Sequence, residues 1–435
     1  MGRITKCREP GFAWRCLNRT RKMILVVILC LITVVALIVQ TKAFNQLFSY
    51  VLREIDKPPA DYLPPISVIL PCKGIDPGFR SNLKKLLEQD YVRDGKAQFE
   101  VIFSVASADD PAFAAIEELR KTIDSVQTKL VVAGVNSHRG QKINNQLAAL
   151  EVISDKTEAI VFVDSDVIAR NNMLRYLVAP LCQPGVGATT GYRFYIPFKG
   201  DMPSVLRSMW NRVTAWEMGS EKYAFAWGGA MAIRRDIFKK AKVGESWDRA
   251  ADDDLSLTTS VKALGLKVRF VPQCLVASHG DGSLEEIVEW VNRQLILTKV
   301  YYRELWLRAI YRAILLSFWL GAVLFSLFAY FQTSNFEWLL SLAAGLTLIP
   351  VELFFLVKAQ GLWKRVLLAN LATPASDDER ELQAAFDKTL LRSVMAIPLA
   401  HLVLPFVTLY SVLTNRIKWR GVRYELKSPT ETVVV

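Results

Sequence analysis

The sequence predicts an α/β domain built on a mostly parallel sheet, with transmembrane helices on both sides of it along the chain. Between residues 66 and 163, short apolar runs alternate with helix-like stretches, which is typical of parallel strands covered by helices on both faces. Four longer apolar runs each have about the 20 residues needed to cross a hydrocarbon core. These runs lie at residues 23–41, 313–331, 336–357 and 393–413.

The composition agrees with a membrane protein that carries one larger domain. The 435 residues leave room for a domain of about 200–250 residues and a membrane region. Hydrophobic residues make up 51% of the chain and the mean hydropathy is +0.21, both high for a soluble enzyme. The run at 23–39 is long for a signal peptide and lacks a small-residue cleavage site, so we interpret it as a membrane span.

The formal charge of +12 is concentrated next to the apolar runs. Basic residues in such positions usually mark the cytoplasmic side and anionic headgroups, so the excess does not indicate nucleic-acid binding. The six cysteines show no paired spacing, which favours a reducing compartment without a zinc site. The basic residues concerned are Arg3, Lys6, Arg8, Arg15, Arg19, Arg21, Lys22, Lys364, Arg365, Arg416, Lys418, Arg420 and Arg423.

Secondary structure is predicted from apolar periodicity. A proline-rich break at 58–65 precedes the first strand, and the segment 184–228 is predicted to be irregular and aromatic. Strands are predicted at 66–70, 99–105, 130–133, 159–163, 230–233 and 267–271. Helices are predicted at 82–89, 111–120, 142–153 and 255–264.

These patterns divide the chain into segments. The segment 299–312 mixes Tyr, Trp and Arg, which suits a helix in the headgroup layer, although it also fits the start of the next span. The predicted segments are a basic N-terminal tail (1–22), a transmembrane helix (23–41), a juxtamembrane linker (42–64), the α/β domain (65–298), the interfacial amphipathic segment (299–312), a membrane region of about three transmembrane or re-entrant helices (313–415) and a C-terminal tail (416–435).

Charged clusters follow several predicted strands, and the most informative is Asp164 and Asp166 after the strand at 159–163. Ligands bind at the carboxyl ends of strands in open α/β sheets. Two acids at such a place repel each other unless a cation lies between them, and oxygen ligands suit Mg²⁺ or Mn²⁺. The sequence therefore predicts a metal site that can carry a diphosphate. The other clusters lie at 71–77, 109–112 and 252–254. For the acids at 252–254, the alternative interpretation is that they only cap a helix.

In order and spacing, these clusters resemble the family 2 glycosyltransferases of the GT-A fold, within them the ceramide glucosyltransferase-like branch, family 21. The chain carries Lys-Gly-x-Asp-Pro at 73–77, Asp-Asp-Pro-Ala at 109–112 and Lys-Ile-Asn-Asn at 142–145. Asn82 and Leu83, followed by Asp90 and Tyr91, match a further spacing of that branch. The tail at 417–424 is similar to the Ile-x-Trp-Arg-Gly-x-x-Tyr tail of related membrane transferases.

The resemblance implies an inverting, metal-dependent transferase that uses a UDP-sugar. Asp110 would contact the uracil or ribose, and Asp164 and Asp166 would hold Mg²⁺ or Mn²⁺ on the diphosphate. Asp254 would deprotonate the acceptor hydroxyl, with Asp253 in the position of the acid that commonly precedes the base. Inverting transfer needs such a carboxylate, and a cation to neutralise the departing UDP.

Basic residues and one histidine complete the predicted site. Lys73 and Lys142 are expected either near the diphosphate or in solvent. The branch's (Gln/Arg)-x-x-Arg-Trp motif is altered, because Trp290 stands at its first position and Gln294 at its last; Arg293 keeps the basic position and is expected to meet the leaving diphosphate.

Three further features of the predicted site are less specific. The third cluster, with Asp164 and Asp166, is a full Asp-Ser-Asp where the ceramide branch usually has Asp-Ser-Gly. His279 is a candidate metal ligand, with a structural, hydrogen-bonded histidine as the alternative. Gly228 and Gly229 would let substrate approach the backbone closely. Aromatic residues between 210 and 227 would line a lipid groove or form core.

The expected function is transfer of one sugar, with glucose as the default, from a UDP-sugar to the hydroxyl of a ceramide-like membrane lipid. A polyprenyl-phosphate acceptor or polysaccharide extension is the alternative within glycosyltransferases. A haloacid-dehalogenase-type phosphatase also fits the Asp-x-Asp at 164–166, and a noncatalytic membrane scaffold would use the acids as caps only. The expected partners are the UDP-sugar, the lipid acceptor and the bilayer, with no nucleic acid.

Topology is not settled by charge alone. Nucleotide sugars are cytosolic, so the catalytic domain of a multi-pass protein in a bacterial inner membrane or a eukaryotic endomembrane is expected to face the cytoplasm. The basic N-terminal tail also favours the cytoplasmic side, although one span separates this tail from the catalytic domain. The basic loop near Lys364 and the basic tail raise the same problem, and Pro398 and Pro405 make the last apolar run a candidate for a re-entrant segment.

Overall fold

The computed structural model describes residues 12–368, 377–419 and 421–435. Of the basic residues predicted to flank the spans, Arg3, Lys6, Arg8 and Arg420 lie outside these ranges. The helices are α1 (Phe12–Glu54), α2 (Phe79–Leu87), α3 (Pro111–Arg120), α4 (Gln141–Leu150), α5 (Met173–Val178), α6 (Met202–Ala215), α7 (Arg235–Lys240), α8 (Val243–Trp247), α9 (Asp254–Ala263), α10 (Leu284–Tyr301), α11 (Arg303–Thr333), α12 (Phe336–Leu346), α13 (Leu348–Leu368) and α14 (Asp377–Leu413). The strands are β1 (Ile66–Pro71), β2 (Val92–Arg93), β3 (Lys96–Ala97), β4 (Phe99–Val105), β5 (Gln127–Val132), β6 (Ala159–Val163), β7 (Val186–Ile196), β8 (Ala230–Arg234), β9 (Lys267–His279), β10 (Arg416–Trp419), β11 (Val422–Ser428) and β12 (Glu431–Val434).

The central sheet has seven strands in the order β5-β4-β1-β6-β8-β7-β9. All neighbouring strands are parallel except β8, which runs antiparallel to both β6 and β7. Alternate residues of one strand enter different cores, because side chains of a strand point to opposite faces. Val68 packs into the core on one face of the sheet and Ile69 into the core on the other. The predicted fold class, a mostly parallel α/β sheet with long apolar helices on both sides in the chain, is confirmed.

The segment 184–228 was predicted to be irregular, and this prediction is wrong for most of it. It contains β7, which is 11 residues long, and α6, which is 14 residues long. The strand was missed because Gly, Thr and Arg interrupt its apolar pattern. Its threonines are buried through distant partners: Thr189 donates to the Leu177 carbonyl and Thr190 accepts from the Trp227 amide.

The segment 299–312 is divided by the structure. Residues up to Tyr301 end α10, Tyr302 leaves helical geometry, and α11 begins at Arg303 and continues into the membrane region. Lys299 donates from its ammonium to the Thr414 carbonyl at 2.7 Å, which fastens this corner to the C-terminal end of α14.

In the part of the chain that the structure describes, four helices are long and apolar enough to cross a membrane, at Thr20–Glu54, Arg303–Thr333, Phe336–Leu368 and Ala384–Leu413. The first three form a bundle, in which Ala36 of α1 packs with Trp319 of α11 and Leu348 of α13.

The last of these helices, α14, contacts the sheet domain near one end and α10 near the other. Near one end, Phe386 stacks on Phe194 of β7 with ring centroids 5.4 Å apart. Near the other end lies the Lys299 contact.

Candidate active site

The strand-end clusters converge on one cavity of about 720 Å³. Its polar end lies at the ends of β1 and β6 and at the beginning of α9. Its other end reaches α11, α13 and α14, where Leu316, Phe355 and Leu404 form part of its wall. The cavity therefore joins the carboxylates to the membrane helices.

Lys142 connects two of the predicted acidic clusters. Its ammonium lies 2.9 Å from Asp164 Oδ1 and 2.9 Å from Asp253 Oδ2, and it donates to the Gly228 carbonyl at 3.2 Å. Burial disfavours its charge, but Asp164 and Asp253 outweigh that effect and raise the pKa of Lys142 above its usual value. Of the two expectations for Lys142, the structure shows the residue at the acidic site, not in solvent.

Gly228 leaves room for this close packing. A Cβ at this position would lie 2.6 Å from the Lys142 ammonium and 2.8 Å from Asp253 Oδ2. The Gly228 amide also donates to Asp254 Oδ2 at 2.7 Å. The glycine thus gives room to the ion pair and orients the carboxylate that was predicted to be the base.

Arg193 of β7 holds the second carboxylate of the Asp-x-Asp pair. Its guanidinium donates two hydrogen bonds to Asp166, at 2.7 and 2.9 Å, and approaches Asp164 at 3.6 Å. Burial and the nearby Asp166 nevertheless raise the pKa of Asp164 above its usual value. Burial and the neighbouring acid therefore outweigh Lys142 and Arg193 in setting the pKa of Asp164.

The three acids at 252–254 take three different roles. Asp252 accepts from the Leu255 amide at 3.0 Å and so caps α9, which agrees with the capping interpretation for this one residue. Asp253 accepts from the Gln146 side-chain amide at 2.8 Å in addition to its ion pair with Lys142.

Asp254 is the carboxylate of this group whose pKa fits a base. Burial, with Asp253 next to it, raises the pKa of Asp254 to about 6. Burial and the other two acids raise the pKa of Asp252 well above its usual value, and a side-chain hydrogen bond joins Asp252 to Asp254. Asp254 lines the cavity.

Asp110 makes two hydrogen bonds that hold the local structure. It caps α3 by accepting from the Ala112 amide at 2.9 Å, and it accepts from the Gly74 amide at 2.8 Å. The second bond ties the loop after β1, which carries Lys73, to the start of α3. Lys73 is exposed at the lining of the cavity, whereas Asp110 is not among the lining residues.

Arg293 lies at the cavity beside the C-terminal tail. Its guanidinium is 5.5 Å from the centroid of the Trp419 ring, and burial lowers its pKa below the usual value. Trp290, which stands at the first position of the altered motif, packs edge-on against Tyr195. The tail motif and the altered motif thus lie together at one wall of the cavity.

The structure does not bring His279 to the two aspartates. It is the exposed last residue of β9, its ring lies 4.4 Å from that of Phe198, and it is absent from the cavity lining. Across residues 12–368, 377–419 and 421–435, no three His, Cys, Asp or Glu side chains form a group that could hold a metal ion. Asp164 and Asp166 alone still fit a hard divalent cation, because Mg²⁺ is commonly bound by one or two carboxylates together with substrate phosphates.

Several residues of the cavity wall were missed by sequence reasoning. They come from β7 and α6 and include Arg193, Tyr195, Arg207 and Arg212. Arg212 is 4% exposed, and its Nε and one Nη have no hydrogen-bond partner within the described parts of the chain. Burial lowers the pKa of Arg212 to about 10. The local sequence pattern indicated these arginines only weakly, because they lie in a segment that was not predicted to form regular structure.

The aromatic series between 210 and 227 partly lines the cavity. Trp210, Trp216, Phe225 and Trp227 are lining residues, and Trp216 also packs into the core against α1. Trp216 therefore belongs to the core and also lines the cavity, while the lipid groove stays a prediction.

Comparison with known proteins identifies the class. The family model described as Glycosyl transferase family 21 matches residues 25–432, nearly the whole chain. The protein belongs to this family and is a glycosyltransferase, which confirms the predicted family and the prediction of an enzyme and leaves the phosphatase and scaffold alternatives without support.

Solved structures of other glycosyltransferases show a remote similarity. A mannosyltransferase from Pyrobaculum calidifontis, solved with GDP-Man and Mn²⁺, is 18% identical with a TM-score of 0.47; the alignment covers 89% of this chain and 98% of that one. GalNAc-T7, solved with UDP, GalNAc and Mn²⁺, is 12% identical with a TM-score of 0.39, over 56% of this chain and 50% of that one.

Proposed function

We propose that this protein transfers a single sugar, with glucose as the first candidate, from a UDP-sugar to a hydroxyl of a ceramide-like membrane lipid, with inversion at the anomeric carbon. The observation that carries the proposal is the continuous cavity between the Asp254 carboxylate and the membrane helices. A lipid whose chains lie among α11, α13 and α14 has a path along which its headgroup reaches Asp254.

Asp254 is proposed as the general base. Its pKa of about 6 leaves it ionised at neutral pH yet basic enough to take a proton, as a general base requires. The Gly228 amide fixes one carboxylate oxygen, and Asp252 hydrogen-bonds the same group. Asp253 acts by positioning, since it holds Lys142 and Gln146.

The donor is proposed to lie at the ends of β1 and β6. Asp164 and Asp166 would hold Mg²⁺ or Mn²⁺, and a bound cation would offset the charge of the diphosphate as UDP leaves. Lys73, Lys142 and Arg293 line the same space and add positive charge for an anionic donor. Asp110 would act on the nucleotide through the Gly74 loop that it holds, in addition to any contact with the uracil or ribose.

The membrane arrangement is proposed to have three spans, formed by α1, α11 and α12 together with α13. The fourth apolar helix, α14, would lie along the membrane surface, because residues near both of its ends contact the sheet domain or its flanking helix α10. One stripe of α14 is exposed and apolar, which suits contact with lipid; it includes Leu391, Met395, Leu402, Phe406 and Leu413. The catalytic domain and the C-terminal tail would then share the cytoplasmic side.

The test is UDP release by the purified full chain in detergent with Mn²⁺. Each of several UDP-sugars is combined with ceramide, diacylglycerol or polyprenyl phosphate. Release that needs one donor together with ceramide supports the proposal. Release only with polyprenyl phosphate, or formation of a polymer without lipid, would replace it with the corresponding alternative.

A further inference from the structure

The helices α1, α13 and α14 each contribute one polar side chain to a cluster at the place where they meet. Gln40 of α1 donates from its amide to Glu352 Oε1 at 3.2 Å, and His401 Nε2 of α14 lies 3.0 Å from Glu352 Oε2. All three side chains are nearly buried, with Glu352 and His401 each 11% exposed. Ionisable side chains within membrane helices are costly and usually mark a functional site.

The cluster lies just beneath the catalytic domain. Phe44, about one helical turn after Gln40, packs edge-on against Trp216 and stacks on Phe355 with ring centroids 4.4 Å apart. Glu352 precedes Phe355 by three residues, which is again about one turn. The cluster is therefore about 5–6 Å on the membrane side of the first contact between α1 and the sheet domain. This distance matches the width of a headgroup layer, so the cluster lies where the polar linkage of a lipid would lie.

Gln40, Glu352 and His401 also line the cavity that contains Asp254. Within the described parts of the chain, the side-chain carbonyl of Gln40 and Nδ1 of His401 make no hydrogen bond to the protein. Polar atoms that face a cavity in a membrane bundle without a partner favour a ligand that supplies one.

The chemistry of the cluster favours an uncharged lipid. A carboxylate and an amide carbonyl accept hydrogen bonds, and the imidazole donates or accepts according to its tautomer. Glu352 would repel a phosphate or a carboxylate on the lipid at this depth. A lipid with an amide N–H or a secondary hydroxyl near its reacting hydroxyl would satisfy these atoms, whereas a glycerol diester has no donor besides the reacting hydroxyl itself.

We propose that Gln40, Glu352 and His401 form an acceptor subsite that selects uncharged lipids carrying amide or hydroxyl donors. The inference rests on the proposed function, because it assumes that a lipid is the acceptor. It adds the residues that read the lipid and the chemical group that they read.

The test measures acceptor selectivity. The ratio of kcat/KM for ceramide to kcat/KM for a diacylglycerol of equal chain length is determined for the full chain, for Gln40→Leu and for Glu352→Gln. The ratio does not depend on the fraction of active enzyme, so partial misfolding of a variant does not alter it. We expect ceramide to be preferred, and the ratio to fall about tenfold in each variant, as expected for the loss of one hydrogen bond.

Ser341→Ala is the matched control. Ser341 hydrogen-bonds Ser326 between α12 and α11 at 2.9 Å, and neither serine lines the cavity. If the cluster only joins helices, all three variants will leave the ratio unchanged, and the inference is overturned. A wild-type protein that uses both lipids equally also overturns it. Failure of the wild type to use any lipid overturns the proposed function itself, and this outcome is seen before any variant is made.

Discussion

At the residue scale, the environment of Asp254 separates it from its two neighbours. Asp252 is occupied by the cap of α9 and Asp253 by Lys142 and Gln146. Asp254 keeps a carboxylate at the cavity with one backbone donor from Gly228. Of the three adjacent acids, Asp254 is therefore the one whose carboxylate is best placed to accept a proton from a substrate.

Asp254→Asn is expected to reduce transfer by about 10²–10⁴-fold, because the amide cannot take the proton of the acceptor hydroxyl. The amide keeps nearly the same size, so the affinity for UDP-sugar should change little. The measurement is kcat for sugar transfer, together with the Kd for UDP in the presence of Mn²⁺. Unchanged turnover in this variant would exclude Asp254 as the base.

The raised pKa of Asp254 predicts a pH dependence. A base acts in its deprotonated form, so activity is present above a pH of about 6 and is lost as the pH falls through that value. We expect kcat/KM to fall about tenfold per pH unit on the acid side. A profile that stays flat from pH 7 to pH 5 would contradict the assigned pKa or the role.

Asp164→Asn is expected to weaken metal-dependent binding of UDP by about tenfold or more, since one charged oxygen ligand is lost. The Kd for UDP is measured with Mn²⁺ and with a chelator, in Asp164→Asn and in His279→Gln. His279 lies outside the cavity lining, so we expect its variant to keep the metal dependence. Loss of that dependence in His279→Gln would restore the histidine as a ligand.

At the scale of elements, helix starts and strand ends position the site. The N-terminal end of α9 carries Asp252 to Asp254, the end of β6 carries Asp164 and Asp166, and α4 delivers Lys142 between them. The cap of α3 at Asp110 holds the Gly74 loop, so this element fixes one edge of the proposed donor site.

Asp110→Ala is expected to lower the free energy of unfolding by about 1 kcal/mol through loss of the α3 cap, whereas Asp110→Asn should retain most of it. Thermal unfolding in detergent measures this difference. The KM for UDP-sugar distinguishes a capping role of Asp110 from direct binding of the nucleotide. If Asp110 acts only through the Gly74 loop, the Asn variant keeps the wild-type KM. A raised KM in the Asn variant would indicate direct contact with the nucleotide.

Sequence patterns predicted those elements that have regular apolar spacing. The strands at 99–105 and 159–163 and the helix at 111–120 match β4, β6 and α3 in their bounds. By contrast, β7 was missed because Thr190 is buried and Arg193 is partly buried, each with a partner far away in the chain. Arg193, a direct partner of Asp166, was missed for the same reason, and no local pattern reveals a contact of this kind.

At the scale of the whole molecule, the sheet domain rests on the membrane bundle through a shared core. Ala43, Phe44 and Leu47 of α1 pack with Trp216 and with Trp363 of α13 in one apolar cluster. This core closes the junction around the cavity, where the proposed function would bring lipid and nucleotide together from different phases.

Three spans predict that the two ends of the chain lie on opposite sides of the membrane. In sealed vesicles, a tag at the C-terminus should be digested together with the catalytic domain, and a tag at the N-terminus should be protected. If α14 crosses the membrane, the C-terminal tag will instead be protected when the catalytic domain is digested. Protection of the catalytic domain in vesicles that expose the cytoplasmic face would contradict its proposed orientation.

The most direct test of the account is the product itself. Full-length protein is incubated with Mn²⁺, isotope-labelled UDP-glucose and ceramide, and the lipid is analysed by mass spectrometry and by NMR of the anomeric proton. The account predicts one hexose on the lipid, in the β configuration, and at least about 100-fold slower product formation with Asp254→Asn. An α-linked sugar, a longer glycan, or labelled sugar that never reaches the lipid would contradict it.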